Sequence, residues 1–515
     1  MENRKLSLFR LIITLFVFSG IVYLVLSRFL WSKKTELIEQ GKPWYGPYID
    51  VTAIPSYSFE QVDNFKSHKN AVLAFIVSSK KEACVPAWGS FYTLEEASSI
   101  LDLDRRIARF RQLGGSIAIS FGGALNDELA INCEDLEKLK AAYLSVIDRY
   151  EVDTIDFDIE GSALIDTDSI LLRAEAISYI QKELRSQNKN LAVWLTLPVT
   201  PQGLTEDSAN LISKMLEKGV DLAGVNVMTM NYAIGDSQEK SLLSLSETAL
   251  IETRRQLGVL YSQAGIYLSD ALLWSKVGAT PMVGQNDIAN EVFTLNDAVN
   301  LNDFSLKRGV GRISMWSANR DRKCGDNYVN LAVVSDSCSG IEQEPFAFSA
   351  ALGRGFEGKI SDNASLVTVN ELKQSPDYII DKPDESPYQI WSEKASYLKG
   401  TKVVWRKNVY VAKWWTRGDV PDNPVLNSWE TPWQLVGPVL PGETPVPQPT
   451  LPAGTYPEWS GIIIYEAGSR VLFNGIPFEA KWWTQGDSPA ASFSNPDSSP
   501  WFLLTQKDIE EINFY

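Results

Sequence analysis

Residues 153–160 place four acids in a short run whose other members are β-branched or apolar: Asp-Thr-Ile-Asp-Phe-Asp-Ile-Glu. The two-residue alternation of a strand puts Asp156, Asp158 and Glu160 on one face. Carboxyl groups at this density raise one another's pKa, which suits an acid that must stay protonated until it acts. The alternatives are a solvated edge strand or a calcium loop, but calcium loops place Gly and Asn between their acids. The segment therefore predicts a strand that carries catalytic carboxylates.

The chain around this segment alternates short apolar runs with longer helical patterns, which is typical of repeated βα units. We predict strands at residues 51–57, 71–78, 116–122, 154–160, 191–198, 223–230, 278–284 and 312–317. Such a set predicts an α/β fold, the (β/α)8 TIM barrel, whose active site lies at the C-terminal ends of the strands. Glu160, Tyr232 and Trp316 each lie at such an end.

Composition excludes several kinds of chemistry. The 515 residues carry 64 acids against 48 Lys and Arg, a formal net charge of −16, and we see no basic stripe. Nucleic acid is therefore not expected as a partner. His68 is the only histidine, which excludes a histidine-rich metal site, a Ser-His triad and a Cys-His pair. We expect no metal and no cofactor, and any acid–base chemistry must use carboxylates.

The N-terminus suggests export. A basic start is followed by an apolar segment at residues 11–26, which is long for a signal-peptide core and short for a full membrane span. No small-residue cleavage site follows it. We therefore expect a signal-anchor or transmembrane helix within residues 1–34, with a cleaved signal peptide as the alternative. The rest of the chain is expected outside the cytoplasm, anchored to the membrane, or secreted if the segment is cleaved.

Four cysteines form an even set, which in an exported protein suggests two disulfides. Cys324 and Cys338 bracket a short loop and are expected to pair. Cys84 and Cys133 would then join the loops after the second and third barrel strands. Four buried free thiols are the alternative.

The acidic segment resembles the Asp-x-x-Asp-x-Asp-x-Glu signature of the family 18 glycoside hydrolases, the chitinases and their relatives. Residues 120–123, Ser-Phe-Gly-Gly, are similar to that family's Ser-x-Gly-Gly motif. Residues 228–232, Met-Thr-Met-Asn-Tyr, resemble its Met-x-Tyr segment, and residues 314–317, Ser-Met-Trp-Ser, resemble its last barrel strand. The motifs occur in the family's order, and the resemblance covers residues 43–345.

The resemblance implies hydrolysis that is assisted by the substrate itself. Glu160 would protonate the glycosidic oxygen and then activate water, while the substrate's N-acetyl oxygen attacks the anomeric carbon and forms an oxazolinium ion with retention of configuration. Asp158 would orient the acetamido N–H, and Asp156 would share a proton with Asp158 and help to tune Glu160. Tyr232 would bind the acetamido oxygen, and Trp316 would form the floor under the −1 sugar.

Further site residues are expected around this centre. Supporting roles are expected for Asp153, Ser120, Gly122 and Gly123, and contact with substrate for Met230 and Asn231. In much of the family an Asp follows the Tyr, whereas Ala233 follows it here. Asn231 could therefore touch the sugar or only cap the strand. Many processive members also insert an α+β domain before the last barrel strand. That connection holds one helix here, which implies an open groove and endo-type cutting.

The C-terminal part of the chain repeats itself after 68 residues, so that Trp414 and Trp415 recur as Trp482 and Trp483. A linker at 346–386, one copy at 387–437, a Pro-rich linker at 438–455 and a second copy at 456–505 are expected. Each copy is too small to bury all its rings, and exposed Trp faces stack on pyranose rings. The repeat resembles the family 5/12 carbohydrate-binding modules, which are small all-β folds. Those four Trp are the expected binding platform, whereas Trp391, Trp433, Trp459 and Trp501 are expected in the module cores.

The sequence therefore predicts a monomeric chitinase that acts on chitin or N-acetylglucosamine oligomers. Two alternatives stay open. One is an endo-β-N-acetylglucosaminidase on glycans, against which the repeated modules argue. The other is an inactive, membrane-tethered chitin lectin, against which the retained acids argue.

Overall fold

A computed structural model of the protein describes residues 41–504 and 508, apart from 62–63, 65, 67, 234–240, 289, 327–333, 364–380, 424, 440–441, 444–449, 494–495, 497 and 505–507. The predicted anchor at 11–26 lies outside these residues. Among the residues that are described, no helix has the length and the apolar character needed to cross a bilayer.

The first part of the chain is a closed barrel of eight parallel strands surrounded by helices. In chain order the strands are Trp44–Tyr45 (β1), Tyr48–Asp50 (β2), Asn70–Ser78 (β3), Pro86–Trp88 (β4), Tyr92–Thr93 (β5), Ser116–Gly122 (β6), Thr154–Asp158 (β7), Ala192–Thr200 (β8), Gly203–Leu204 (β9), Leu222–Met228 (β10), Val277–Thr280 (β11), Gly284–Gln285 (β12), Val292–Phe293 (β13) and Arg312–Ile313 (β14). In the ring, β1 and β2 together make the first strand, and the parallel order of the other seven runs β3-β6-β7-β8-β10-β11-β14. The short strands β4, β5, β9, β12 and β13 pair antiparallel and are not among the eight. Because β1 pairs with β14 and β2 pairs with β3, the first strand closes the ring.

Helices cover the outside of this ring. They are Leu94–Ile100 (α1), Leu103–Gln112 (α2), Leu129–Asn132 (α3), Leu136–Arg149 (α4), Thr167–Ser186 (α5), Glu206–Glu217 (α6), Leu242–Gln263 (α7), Asp270–Ser275 (α8), Leu295–Arg308 (α9), Ala347–Leu352 (α10) and Ile360–Asn363 (α11). Several begin at the side-chain caps that their sequences encode, as where Thr93 and Glu96 form a capping box at α1. Their apolar faces and the outward faces of the strands form one continuous core.

The prediction for the first strand was wrong. We expected it at 51–57, but the strand occupies 44–50 in two halves on either side of Gly46 and Pro47. The proline has no N–H for the ladder, which explains the interruption. The segment after it turns away from the barrel, and Ile54 is exposed before Pro55. An apolar run was therefore mistaken for a strand.

The connection between the last two barrel strands is short. Residues 281–311 hold the β12–β13 hairpin and helix α9, with Ala289 left undescribed. Gly284 turns the chain into this hairpin with φ +73, and any side chain there would overlap the backbone of Ser339. The described residues of this connection therefore contain a hairpin where an inserted domain would lie.

The barrel domain extends past the boundary that we placed at 345. The prediction of a linker at 346–386 was therefore wrong for its first half. Helix α10 buries Phe348 and Leu352, and the carboxylate of Asp321 accepts hydrogen bonds from the backbone N–H groups of Phe348 and Ser349 at 3.0 and 2.8 Å. Phe356 and Ile360 are also buried. These apolar residues recur every four positions in the sequence. We overlooked the pattern because the segment as a whole is polar.

The two repeats fold alike. Their strands are Ser396–Tyr397 (β15), Lys402–Trp405 (β16), Asn408–Ala412 (β17), Thr416–Arg417 (β18), Trp433–Pro438 (β19), Ile464–Tyr465 (β20), Arg470–Phe473 (β21), Ile476–Ala480 (β22), Thr484–Gln485 (β23) and Trp501–Leu503 (β24). We call the β15–β19 copy module 1 and the β20–β24 copy module 2. Each holds a three-stranded and a two-stranded sheet. Module 1 begins before 387, since Asp381 binds the backbone N–H groups of Arg406 and Lys407.

Both expected disulfides are formed. Cys84 pairs with Cys133 and Cys324 with Cys338, with Cα atoms 4.8 and 5.0 Å apart. Module 1 also touches the barrel. Arg255 on α7 donates from Nη1 to the carbonyl of Val425 at 2.7 Å, and its other terminal nitrogen contacts the carbonyl of Leu426. The side chain of Leu426 packs against the barrel core.

Candidate active site

The acidic segment forms strand β7 and the turn that follows it. All five residues of β7 are buried. Ile155 and Phe157 belong to the core between strands and helices, whereas Asp156 and Asp158 take the alternate positions that face the barrel interior. Glu160 lies two residues beyond the strand, at the C-terminal end of the barrel, and is only partly buried. The predicted alternation therefore puts three carboxyl groups in a row from the barrel interior to its mouth.

Asp156 is the buried anchor of this row. Its Oδ2 accepts hydrogen bonds from the hydroxyls of Tyr48 at 2.8 Å and Ser120 at 2.7 Å. Its Oδ1 accepts from Thr196 Oγ1 and from Arg312 Nη1, both at 2.7 Å. Four donors of the protein thus bind this carboxylate, two at each oxygen. Ser120 has the supporting contact that its place in the barrel suggested.

Arg312 is a residue that the sequence reasoning missed. It is fully buried, forms an ion pair with Asp156, and donates to the hydroxyls of Tyr48 at 3.0 Å and Ser314 at 2.9 Å. Its guanidinium also lies 4.9 Å from the ring of Trp44. An arginine inside an apolar strand was a visible signal, because a charge is buried only when it is paired. Its partner could not be read from the sequence.

Asp158 stands above this anchor. Burial, together with the charges of Glu160 and Asp156, raises the pKa of Asp158 well above its ordinary value, and Arg312 opposes that rise. Its Oδ1 is buried and has no hydrogen-bond partner in the part of the chain that the structure describes. A buried carboxyl oxygen without a partner carries an energetic cost.

Glu160 is the outermost of the three acids. Partial burial raises the pKa of Glu160, and the negative charge of Asp287 raises it further. Asp287 belongs to the β12–β13 hairpin and was not singled out from the sequence. Asn231 holds it by two hydrogen bonds, from Asn231 Nδ2 to Asp287 Oδ2 at 2.8 Å and from the backbone N–H of Asp287 to Asn231 Oδ1 at 3.0 Å. Asn231 therefore joins the ends of two strands and holds a carboxylate that acts on Glu160.

The hydroxyl of Tyr232, which we expected to bind the substrate's acetamido oxygen, contacts helix α7. That hydroxyl lies 3.5 Å from Ser246 Oγ on α7, and the ring packs against the core outside the barrel. The backbone N–H of Tyr232 donates to Glu291 at 2.9 Å. The residues on either side of it, Asn231 and Ala233, both have φ +54, so the backbone turns at this point.

Aromatic rings line the barrel beside the acids. Trp316 follows the last strand and stacks on Phe75, with ring centroids 5.6 Å apart and planes inclined by 18°. A Cβ at Gly123 would lie 2.9 Å from the Phe75 ring, and one at Gly122 only 2.1 Å from the carbonyl oxygen of Asp158. The two glycines thus allow strand β6 to approach the acidic strand and the aromatic pair closely.

Met230 and Asp153, two other residues predicted for the site, lie near opposite ends of the barrel. Met230 lies just beyond strand β10 and is partly exposed. It continues the alternation from Asn226, whose amide donates to Thr280 Oγ1 at 2.7 Å inside the barrel. Asp153 precedes β7 at the opposite end of the strand, where its side chain accepts a 3.2 Å hydrogen bond from Thr154. Its place agrees with a supporting role and is far from the mouth.

In the modules, Trp414, Trp415, Trp482 and Trp483 are between 44% and 56% exposed. Trp433 and Trp501 are buried in the two module cores, whereas Trp391 and Trp459 are only partly buried there. Trp429 is also exposed and was missed by the sequence reasoning.

Comparison with known proteins supports a hydrolase barrel. No model of a protein family matches the chain. Over 316 residues it is 36% identical to the probable bifunctional chitinase/lysozyme of Escherichia coli K12, a match that covers 59% of this chain and 33% of that protein. Over 280 residues it is 34% identical to endochitinase 11 of Metarhizium anisopliae, which covers 54% and 52% of the two chains. These relatives support a glycoside hydrolase.

Solved structures agree with this similarity. The catalytic domain of a hyperthermophilic chitinase from Pyrococcus furiosus aligns with a TM-score of 0.52 at 29% identity, over 62% of this chain and 97% of that domain. The chain spans between a third and about half of the length of the curated relatives named above. The similarity therefore concerns the barrel fold and its hydrolase chemistry, and not the whole length of those proteins.

Proposed function

We propose that the barrel is a family 18 chitinase that hydrolyses β-1,4 linkages between N-acetylglucosamine units. One observation carries the proposal. Of three carboxyl groups in a row, Asp156 is tied to Arg312, while burial and neighbouring charge raise the pKa of both Asp158 and Glu160 at the barrel mouth. The similarity to chitinases named above supports the same reading.

Glu160 is the proposed general acid. A raised pKa keeps a larger fraction of this carboxyl protonated near neutral pH, which general acid catalysis needs. Glu160 gives its proton to the glycosidic oxygen as the bond from that oxygen to the anomeric carbon breaks. The carboxylate that is left then takes a proton from the water that attacks the same carbon, so Glu160 returns to its starting state.

Asp158 is the proposed partner of the acetamido group rather than the nucleophile. A buried carboxyl with a raised pKa favours its neutral form, which is a poor nucleophile. Its unpartnered Oδ1 can accept a hydrogen bond from the N–H of the substrate's acetamido group. The carbonyl oxygen of that group then attacks the anomeric carbon and forms the oxazolinium ion. Water opens this ion on the same face, so the configuration is retained.

The hairpin between β11 and β14 supports endo-type cutting. Because the described residues of 281–311 form a hairpin and one helix, the cleft lacks a tall wall on that side. A polymer can then enter from the side instead of threading by its end. The exposed Trp pairs of the modules support binding to the same polymer. The two disulfides favour a place outside the cytoplasm.

The proposal is tested by following the anomers released from soluble N-acetylglucosamine oligomers by NMR. We expect the first product of the wild type to keep the anomeric configuration of the substrate. We expect Glu160→Gln to release almost no product. Glu206→Gln, a change at an exposed glutamate in the first turn of α6, is the matched control and should behave as wild type. Inversion of configuration would overturn the mechanism. Binding of the oligomers without any product from wild type would make the barrel a lectin.

A further inference from the structure

The two modules touch each other directly, in addition to being joined by their linker. The backbone N–H of Ser396 in module 1 donates to the carbonyl of Gly486 in module 2 at 3.0 Å, and the N–H of Ser488 donates back to the carbonyl of Ser396 at 3.3 Å. Ser396 and Asp487 thus form a parallel bridge that extends the β15–β18 sheet of module 1 into module 2. A side-chain bond joins Ser488 Oγ to Gln389 Oε1 at 3.4 Å.

Apolar packing accompanies these hydrogen bonds. Trp459 of module 2 packs against the cores of both modules. Gly461 passes so close to module 1 that an added Cβ would lie 3.2 Å from the carbonyl oxygen of Lys394. Ser488 is completely buried. The contact therefore combines an aromatic residue shared by both cores, hydrogen-bonded backbone groups and a buried serine. These are features of a stable, well-packed interface.

The contact is not symmetric between the copies. Ser396 of module 1 is 2% exposed because module 2 covers it, whereas its counterpart in module 2, Ile464, is 52% exposed. One edge of module 1 thus receives the opposite edge of module 2, whereas no described residue covers the equivalent edge of module 2 at Ile464. This head-to-tail arrangement fixes the orientation of one copy against the other.

We propose that the two modules form one rigid body and present their two Trp pairs as a single platform to the surface of an insoluble polysaccharide. The proposal deepens the proposed function and depends on its ligand being chitin. Each pair, Trp414 with Trp415 and Trp482 with Trp483, is exposed at the same place in its copy. With the interface formed, the second pair meets the polymer at a set distance from the first and does not search through a flexible linker. Preorganisation of this kind adds affinity without new contacts.

The experiment uses the full chain and opens the interface by Ser396→Arg, whose long charged side chain cannot fit a covered position. Ile464→Arg places the same side chain at the exposed counterpart, and Ser396→Ala keeps the backbone bonds. Hydrogen exchange at the amides of residues 396 and 488 reports the interface without any chitin. Adsorption to crystalline chitin reports the platform, and cleavage of soluble oligomers reports the barrel.

We expect both amides to be protected in wild type and to exchange at least about tenfold faster in Ser396→Arg, with adsorption weakened by a similar factor and soluble cleavage unchanged. Ile464→Arg and Ser396→Ala should match wild type. Unchanged adsorption in a variant whose interface has opened would overturn the platform, as would equal losses in Ser396→Arg and Ile464→Arg. Failure of wild type to adsorb, with its amides protected, would instead overturn the proposed ligand and with it the platform.

A second variant keeps the test decisive if Ser396→Arg does not fold. Cysteines at the bridged positions, Ser396→Cys with Asp487→Cys, would lock the modules together. The oxidised protein should adsorb as wild type does, since the locked arrangement is the binding one. A tenfold loss on oxidation that reduction restores would show that the modules must separate to bind.

Discussion

The ion pair between Arg312 and Asp156 makes a sharp prediction about the barrel interior. Arg312→Met keeps an unbranched side chain of similar length but removes the guanidinium. Asp156 then loses one of its four hydrogen bonds and its only counter-charge in the described contacts. The hydroxyls of Tyr48 and Ser314 also lose their bonds to the guanidinium. Asp156 thus keeps three hydrogen bonds but becomes a buried charge without a counter-charge at the base of the acid row.

Removal of one partner from a buried pair costs about 3–5 kcal/mol. For a domain of this size, each kcal/mol lowers the midpoint of thermal unfolding by about 2–4 °C, so a shift on the order of 10 °C is expected. Arg354→Met is the control, because Arg354 and Asp303 form an exposed pair with side chains 57% and 59% accessible. Exposed pairs contribute about 0–1 kcal/mol, so that variant should stay close to wild type.

The assay is differential scanning calorimetry of the full chain, in which the transition of the barrel is followed. The double variant Arg312→Met with Asp156→Asn removes both charges and should recover part of the loss, since no isolated charge remains. If Arg312→Met unfolds at the same temperature as Arg354→Met, the buried ion pair does not hold the base of the acid row, and the reasoning about Asp156 fails.

Three further predictions concern the acids and the modules. Glu160→Gln should raise the midpoint of thermal unfolding at neutral pH. The folded state raises the pKa of the Glu160 carboxyl, so the protein loses stability as the pH rises from the pKa of this group in the unfolded chain to its pKa in the folded one. The glutamine amide does not titrate and therefore avoids this loss of stability. An unchanged or lower midpoint would contradict this linkage. Asp287→Asn removes the charge that raises the pKa of Glu160, so the alkaline limit of activity should move to lower pH, while Asp207→Asn on the exposed face of α6 should leave it in place. A pH–rate profile with the same alkaline limit in both variants would argue against an effect of the Asp287 charge on Glu160. Trp414→Ala with Trp482→Ala should weaken adsorption to insoluble chitin by at least about tenfold and spare soluble oligomers. Equal losses on both substrates would show that these rings have a structural role.

The sequence predicted those features that local pattern determines. The alternation of acids with Ile155 and Phe157 was sufficient to place Asp156, Asp158 and Glu160 on one face, because side chains in a strand alternate whatever the tertiary structure. The 68-residue repeat predicted two copies, and their strands recur at that spacing. The even number of cysteines suggested two disulfides, and the structure supplies their connectivity.

The remaining features depend on contacts between distant segments. Arg312 meets Asp156 across 156 residues, and Asn231 meets Asp287 across 56, so neither pairing leaves a local signal. Tyr232 follows its motif by sequence, but the contact of its hydroxyl with Ser246 on α7 leaves no local signal either. The interface between the modules was hidden for a further reason. Each module has both of the edges that meet in this interface. The sequence does not show which edge of which module is covered.

The central claim is that Glu160 cleaves N-acetylglucosamine polymers as a general acid, and a product assay tests it most directly. The full chain would be incubated with colloidal chitin and with soluble N-acetylglucosamine oligomers, beside Glu160→Gln and the control Glu206→Gln. We predict short oligomers from wild type and from Glu206→Gln, a loss of about 10²-fold or more in Glu160→Gln, and unchanged adsorption of all three. Turnover by Glu160→Gln near the wild-type rate would contradict the account.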